Sequence, residues 1–192
     1  MMKSYYLAPV SYYARLARYR DAAIDPDDIY CKQTLRNRCY IASPNGPLAL
    51  TIPVVKFVPY RTLMRDIRIS DHGNWRHLHW QALTSSYRRT PFFEFYADDF
   101  APFYERKWDF LADYNQALQE MVCGLVFGED ERATVGGPHA CPDSHAPAPS
   151  SDFHPSPYYY QIFSDRHGFM PDLSIVDLLF NMGPESILIL NA

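Results

Sequence analysis

Nine consecutive residues, 30-YCKQTLRNR-38, carry Lys32, Gln33, Arg36, Asn37 and Arg38 directly before a stretch that reads as a hairpin. A strand end has no structural need for so many donors, so they raise a question of function. His79 is a second group able to do chemistry. Trp75, Ala82 and Leu83 lie three or four residues from it, so a helix turns His79 inward and His77 outward. An imidazole with an unperturbed pKa of about 6.5 can serve as a general base, although a lone inward histidine is more often a hydrogen-bonded core residue. Asn115, between Leu111 and Leu118, also points inward and must find partners, because burying it unpaired costs about 1 to 3 kcal/mol. It either staples the core or touches a ligand.

Metal chemistry finds little support. His77 and His79 face opposite ways on a helix, and 139-HACPDSH-145 has the spacing of a zinc half-site without a second pair of ligands. No metal site is expected. A glycine-rich phosphate loop, a nucleophile elbow and a Cys-His-Asn pattern are all missing, so the residues alone name neither a reaction nor a cofactor.

These groups need elements to position them. Residues 4–10 read as a first strand, and Tyr12, Tyr13, Leu16 and Tyr19 follow at helical spacing. Cys39, Ile41, Leu48, Leu50 and Ile52 alternate around Pro44-Asn45-Gly46, which predicts a hairpin with a three-residue loop and Gly46 in the left-handed position. Residues 65–70 read as another strand. Trp75 to Ser86 predicts an amphipathic helix capped by Asn74, and Phe110 to Val126 a second helix stopped by Gly128. In 172-DLSIVDLLFNMGPE-185, Ser174 and Asp177 have the spacing of a capping box, with Gly183-Pro184 as a stop. The pattern predicts an α/β chain, one domain over 1–192, with a mixed sheet flanked by helices; the alternative is a mostly helical fold with a β-hairpin. Residues 129–156 are proline-rich and lack a hydrophobic period, which predicts a flexible excursion.

Composition narrows the function. A net charge of -4 argues against general nucleic-acid binding and leaves anionic small molecules open. No window is apolar enough to span a membrane, and four cysteines without a paired framework suggest a reduced, cytoplasmic protein.

Four segments, 5-YYLAPVSYYARLA-17, 30-YCKQTLRNRCYIASPNGPLALTIPV-54, 75-WRHLHWQALTSSYRRTPFFEFYADDFAPFY-104 and 159-YYQIFSDRHGFMPDLSIVDLLFNMGPE-185, together resemble the WbqC-like family of bacterial proteins. Position by position, the family's polar residues fall on Tyr30, Lys32, Asn37, Arg38, His79, Tyr87, Asn115, Asp177 and Asn181. The region between the second helix and the closing segment is shorter here than is usual for the family. The resemblance implies a role in O-antigen or other surface-polysaccharide biosynthesis, with transfer of an acyl or aminoacyl group, such as glycine, to an amino sugar or nucleotide sugar. In that scheme His79 is the base and Tyr87 a stabilising group. Tyr30, Lys32, Asn37, Arg38 and Asn115 bind substrate, with Lys32, Arg36 and Arg38 holding a phosphate or carboxylate and Arg38 suited to a bidentate grip. The alternative is a non-catalytic module that binds a nucleotide sugar or a partner of the same pathway. If one site exists, Lys32 or Arg38 should line the same concavity as His79 or Tyr87. Asp177 is expected to cap its helix rather than reach the pocket.

Overall fold

The computed structural model describes residues 2–18, 24–25, 27–59, 61–128 and 157–192. Helix α1 (Val10–Arg18) buries Val10, Tyr12, Tyr13 and Leu16 along one face, as their spacing predicts. Strands β1 (Arg38–Ser43) and β2 (Gly46–Thr51) pair antiparallel, with Arg38 opposite Thr51 and Ser43 opposite Gly46. Cys39, Ile41 and Leu50 enter the core while Tyr40 stays exposed. Gly46 has a φ of +102°, the positive value expected of it, but it already pairs with Ser43, so the loop is one residue tighter than the sequence suggests. Pro47 is tolerated next to this turn because of its register. Ala42 and Pro47 form a non-hydrogen-bonded pair: the Ala42 amide points out of the ladder to the Tyr87 hydroxyl at 2.9 Å, and the proline nitrogen opposite it likewise owes no bond across the ladder.

Two expected strands take other forms. Residues 4–10 make no ladder: Leu7 has a φ of +40° and Pro9 lacks an amide hydrogen, so pairing within the segment is confined to a single bridge, Pro9 with Ser174. The segment instead threads between two others, with Tyr6 N donating to Leu35 O and Val10 N to Leu173 O, both at 2.9 Å. Residues 65–70 begin as a 3-10 turn over Met64–Asp66 and continue as isolated bridges, Arg68 with Phe110 and Ile69 with Val54. Pro53, adjacent to Val54, cannot donate to a longer ladder.

Helices α2 (Trp75–Tyr87) and α4 (Leu111–Phe127) occupy the expected spans. Asn74 does not cap α2 through its side chain; it sits at a φ of +47° in a tight 3-10 turn over His72–Asn74. Between them lies α3 (Phe93–Glu105), and after the second described stretch resumes come the single turn α5 (Ser164–His167), α6 (Ile175–Met182) and α7 (Ser186–Leu190). Every residue from Ile175 to Asn181 is buried, so α6 is covered on all sides, as three consecutive apolar residues Leu178, Leu179 and Phe180 require. Phe180 packs against Tyr87, Phe93 and Phe100 with ring centroids 5.1 to 5.4 Å apart. The described residues share one core made of helices around one hairpin. This is the expected mixture of strands and helices, in its mostly helical version. The excursion predicted at 129–156, with Cys141 and the 139–145 histidine pair, lies outside the described residues.

Candidate functional site

Most of the residues singled out by type gather at the open end of the hairpin, where Arg38 faces Thr51. Arg38 Nε donates to Thr51 Oγ1 at 3.0 Å, and Asn37 Nδ2 donates to Ile52 O at 2.9 Å. Asn115, projecting from α4, donates to Arg36 O at 2.8 Å and approaches Ser4 Oγ at 3.4 Å. Tyr30 lies close enough to feel Arg36 and Arg38. Burial pushes its hydroxyl up to about 12, and the two guanidiniums partly offset that rise. Lys32 is exposed on the same loop.

Arg36 is committed to structure. Its Nε and one terminal nitrogen grip both oxygens of Asp28, at 2.7 and 2.9 Å, and Lys3 Nζ meets Asp28 at 2.8 Å. Burial opposes ionisation of Asp28, but the bonds from Arg36 and Lys3 hold its carboxyl below the usual range. A fork-on-fork pair of this kind orders the loop backbone, and Lys32 and Arg38 are left as the cations that can meet a ligand. Three polar atoms here are buried without a hydrogen-bond partner: Tyr30 OH, Asn37 Oδ1 and Asn115 Oδ1. Each belongs to a residue the sequence marks for substrate binding. The two amide oxygens accept hydrogen bonds, which suits a ligand rich in hydroxyl or amine groups.

His79 reaches the same place from inside. Its ring bonds the backbone carbonyl of Thr51, the residue whose hydroxyl holds Arg38. On its other side Nδ1 lies 3.0 Å from Tyr6 OH, which lies 3.0 Å from Tyr104 OH. A ring that donates to Thr51 presents Nδ1 as an acceptor, so Tyr6 donates to it. Trp75 covers the ring edge-on at 5.2 Å. The imidazole is 5% exposed, and burial drives its pKa down to about 4 despite the Thr51 bond. It is therefore neutral at pH 7. In an NMR titration its ring signals are expected to stay unchanged from pH 8 to about pH 5, and a midpoint at about 6.5 would contradict this environment.

Tyr87, the other residue marked for catalysis, stands apart. It is fully buried; its hydroxyl accepts from Ala42 N and donates to Asp177 Oδ1 at 2.8 Å, while Tyr159 OH donates to Asp177 Oδ2 at 2.8 Å. Gln161 completes the set, with Nε2 donating to Tyr159 OH at 3.1 Å and to Met170 O at 2.8 Å. Asp177 consequently does not close a capping box. Ser174 accepts the Asp177 amide through its backbone carbonyl, and the carboxylate points away toward the two phenols, which satisfy it better than one backbone amide would. Burial raises the Asp177 carboxyl to about 6 even though both phenols donate to it. Asn181 holds the Asp177 carbonyl at 2.7 Å and accepts the Ile162 amide at 3.1 Å.

An open cleft of about 1290 Å³ runs along the outer side of α2, and Lys32, Arg38, His79 and Tyr87 are not among its lining residues. The expected shared concavity is thus not this one. The structure also brings in residues that local pattern did not flag. Tyr6 is a partner of His79, Tyr104 of Tyr6 and Tyr159 of Asp177, and the only local hint of them in the sequence is the count of 15 tyrosines. Among the described residues no cluster of three or more His, Cys, Asp or Glu could hold a metal ion.

The profile of the WbqC-like protein family matches residues 3–127. The chain belongs to this family. The match contains the hairpin, α2 to α4 and all seven residues marked for catalysis or binding, whereas Asp177 and its helix lie beyond it. Over nearly its whole length, this WbqC-like chain is similar to the uncharacterised protein Rv1507c of Mycobacterium tuberculosis. The two are 26% identical over 218 aligned residues, covering 97% of this chain and 94% of that protein. No solved structure matches. No helix of this WbqC-like protein, among the described residues, is long and apolar enough to cross a membrane.

Proposed function

We propose that this protein binds an anionic, hydroxyl-bearing small molecule, of which a nucleotide-linked amino sugar is the type, at the open end of its hairpin, in the cytoplasm and in the service of bacterial surface-polysaccharide biosynthesis. The observation that carries this reading is the coincidence at one place of two cations outside any ion pair among the described residues, Lys32 and Arg38, with three buried polar atoms that lack partners, on Tyr30, Asn37 and Asn115. Cations suit the phosphates, and the amide oxygens suit sugar hydroxyls or an amine. Pathway and cellular compartment rest on the family resemblance and on the free thiols of Cys31 and Cys39.

The transferase reading adds a step in which His79 takes a proton from the attacking amine, with Asn37, Arg38 and Tyr87 orienting or stabilising the reacting groups. The neutral imidazole is in the right form to accept a proton, but a pKa of about 4 makes it a weak base, and both its nitrogen faces are already engaged. Binding without turnover is the reading these observations favour. Titration calorimetry with a uridine-diphosphate amino sugar tests it. Arg38→Ala should weaken binding about tenfold or more while leaving the melting temperature unchanged, because this side chain makes one exposed hydrogen bond. Equal affinity in wild type and variant would overturn the site. A single-turnover burst of acyl transfer that disappears in His79→Gln would restore the enzyme reading.

A further inference from the structure

The cleft along α2 is separate from the hairpin's open end, and its composition changes from one end to the other. Leu78, Ala82, Ser85, Arg88 and Arg89 succeed one another along its α2 wall, at helical spacings of three, four or one. Leu78 is 55% exposed, so the first end presents apolar surface to solvent. Arg89 lies eleven positions after Leu78, a span of about 16 Å at helical rise. The opposite wall consists of the hairpin turn and the short helix α5, tied together where His167 Nε2 lies 3.0 Å from Pro44 O. That wall adds apolar Leu48 and Phe163, and from α5 a third cation, Arg166.

Two arginines at the C-terminal end of a helix are expected simply to complement its carbonyl dipole. Arg166 comes from a different element, however, and none of the three is ion-paired among the described residues; the cleft's single acid is Asp165. Thr84 Oγ1, on the same wall, is buried without a partner. A cationic end joined to an exposed apolar trough fits a molecule with the complementary arrangement.

We propose that this cleft is a second ligand site, for a phosphate ester carrying an extended apolar chain, with the phosphate held by Arg88, Arg89 and Arg166 and the chain lying along Leu78, Ala82, Leu48 and Phe163. The ligand enters as a single molecule, because an open groove between two walls receives one chain lengthwise rather than presenting a flat face to a bilayer. The site is independent of the hairpin end: it shares none of Tyr30, Lys32, Asn37, Arg38 or Asn115.

Octyl phosphate below its micelle concentration is the probe, titrated into the full chain by calorimetry alongside inorganic phosphate, octanol and phosphatidylglycerol vesicles. Octyl phosphate is expected to bind at least about tenfold more tightly than phosphate or octanol, since both halves of the cleft contribute. The double variant Arg88→Ala/Arg89→Ala and the single variant Leu78→Asp should each weaken it about tenfold or more. All three side chains are exposed, so far-ultraviolet circular dichroism and the affinity of the uridine-diphosphate amino sugar should not change. Equal affinity for octyl phosphate and inorganic phosphate, binding to vesicles but not to the monomer, or binding that survives both variants would each overturn the proposal.

Discussion

Replacing Asp177 by asparagine is expected to make the protein markedly more sensitive to mild acid. In the folded chain the Asp177 carboxyl is raised to about 6 from an ordinary 3.8. Its contribution to stability is complete below the unfolded value and is lost as pH rises through the folded one, because between these values the native state binds more protons. His79 works in the opposite sense. It is lowered to about 4 from 6.5, so its contribution is present at neutral pH and is lost as pH falls. Both groups are almost completely buried, and their windows overlap between pH 4 and 6. Each contributes roughly 2 kcal/mol between pH 7 and 4.5, with opposite sign, so in the wild type they largely cancel. Asp177→Asn removes one side and leaves the histidine slope exposed. Urea unfolding at the two pH values should show the variant losing about 2 kcal/mol more than wild type on acidification. Equal losses would mean that Asp177 does not titrate in this window. Asp177→Ala should be worse at any pH, costing about 3 to 5 kcal/mol, because it strands the buried hydroxyls of Tyr87 and Tyr159 together.

Gly183→Ala is the other change with a large expected effect. Gly183 ends α6 at φ +55°, ψ -130°, a backbone open to glycine and strained for any residue with a Cβ. A Cβ there would also come within 2.5 to 2.6 Å of Cγ and Cε1 of Phe92. Those atoms span the ring to its root, so a small rotation of a flexible tip cannot relieve the contact, and the Phe92 amide is itself held by Phe180 O. Strain and overpacking together should cost about 2 to 4 kcal/mol, measured as a lowered urea midpoint with an unchanged slope. A variant within 0.5 kcal/mol of wild type, a threshold of about the size of ordinary surface effects, would show that Phe92 moves freely.

What could be read in the sequence follows from how local each determinant is. The hairpin, α2, α4 and α6 carry their own period and their own stops, and they form where expected. Residues 93–105 gave no such signal: 93-FEFYADDFAPFYE-105 scatters aromatics around the helix and places Pro102 inside it, so α3 depends on packing against α2 and α6 rather than on pattern. Residues 4–10 alternate like a strand but are set by distant partners at Leu35 and Leu173. The same distinction runs through the site. Asn37, Arg38 and Asn115 stand out in the sequence because donors next to a hairpin and an inward amide are unusual in themselves, whereas Tyr30 is marked only by the resemblance. Asp177 was misread because Ser174 lies nearby in sequence, whereas Tyr87 and Tyr159 meet it only in the folded chain.

The threading of residues 8–10 against 173–175 bears on how the molecule is made. Ala8 O accepts from Ile175 N, so this segment leaves the ribosome roughly 165 residues before its partner exists. At ordinary elongation rates that is a wait on the order of ten seconds. Throughout it, Ala8 and Val10, which end up buried, lack their native cover. Tyr6 is not delayed in the same way, since its partners Leu35, His79 and Tyr104 all precede the closing helices. The segment just after it waits longest, and chaperone capture of the nascent chain should fall sharply once α6 has emerged rather than gradually.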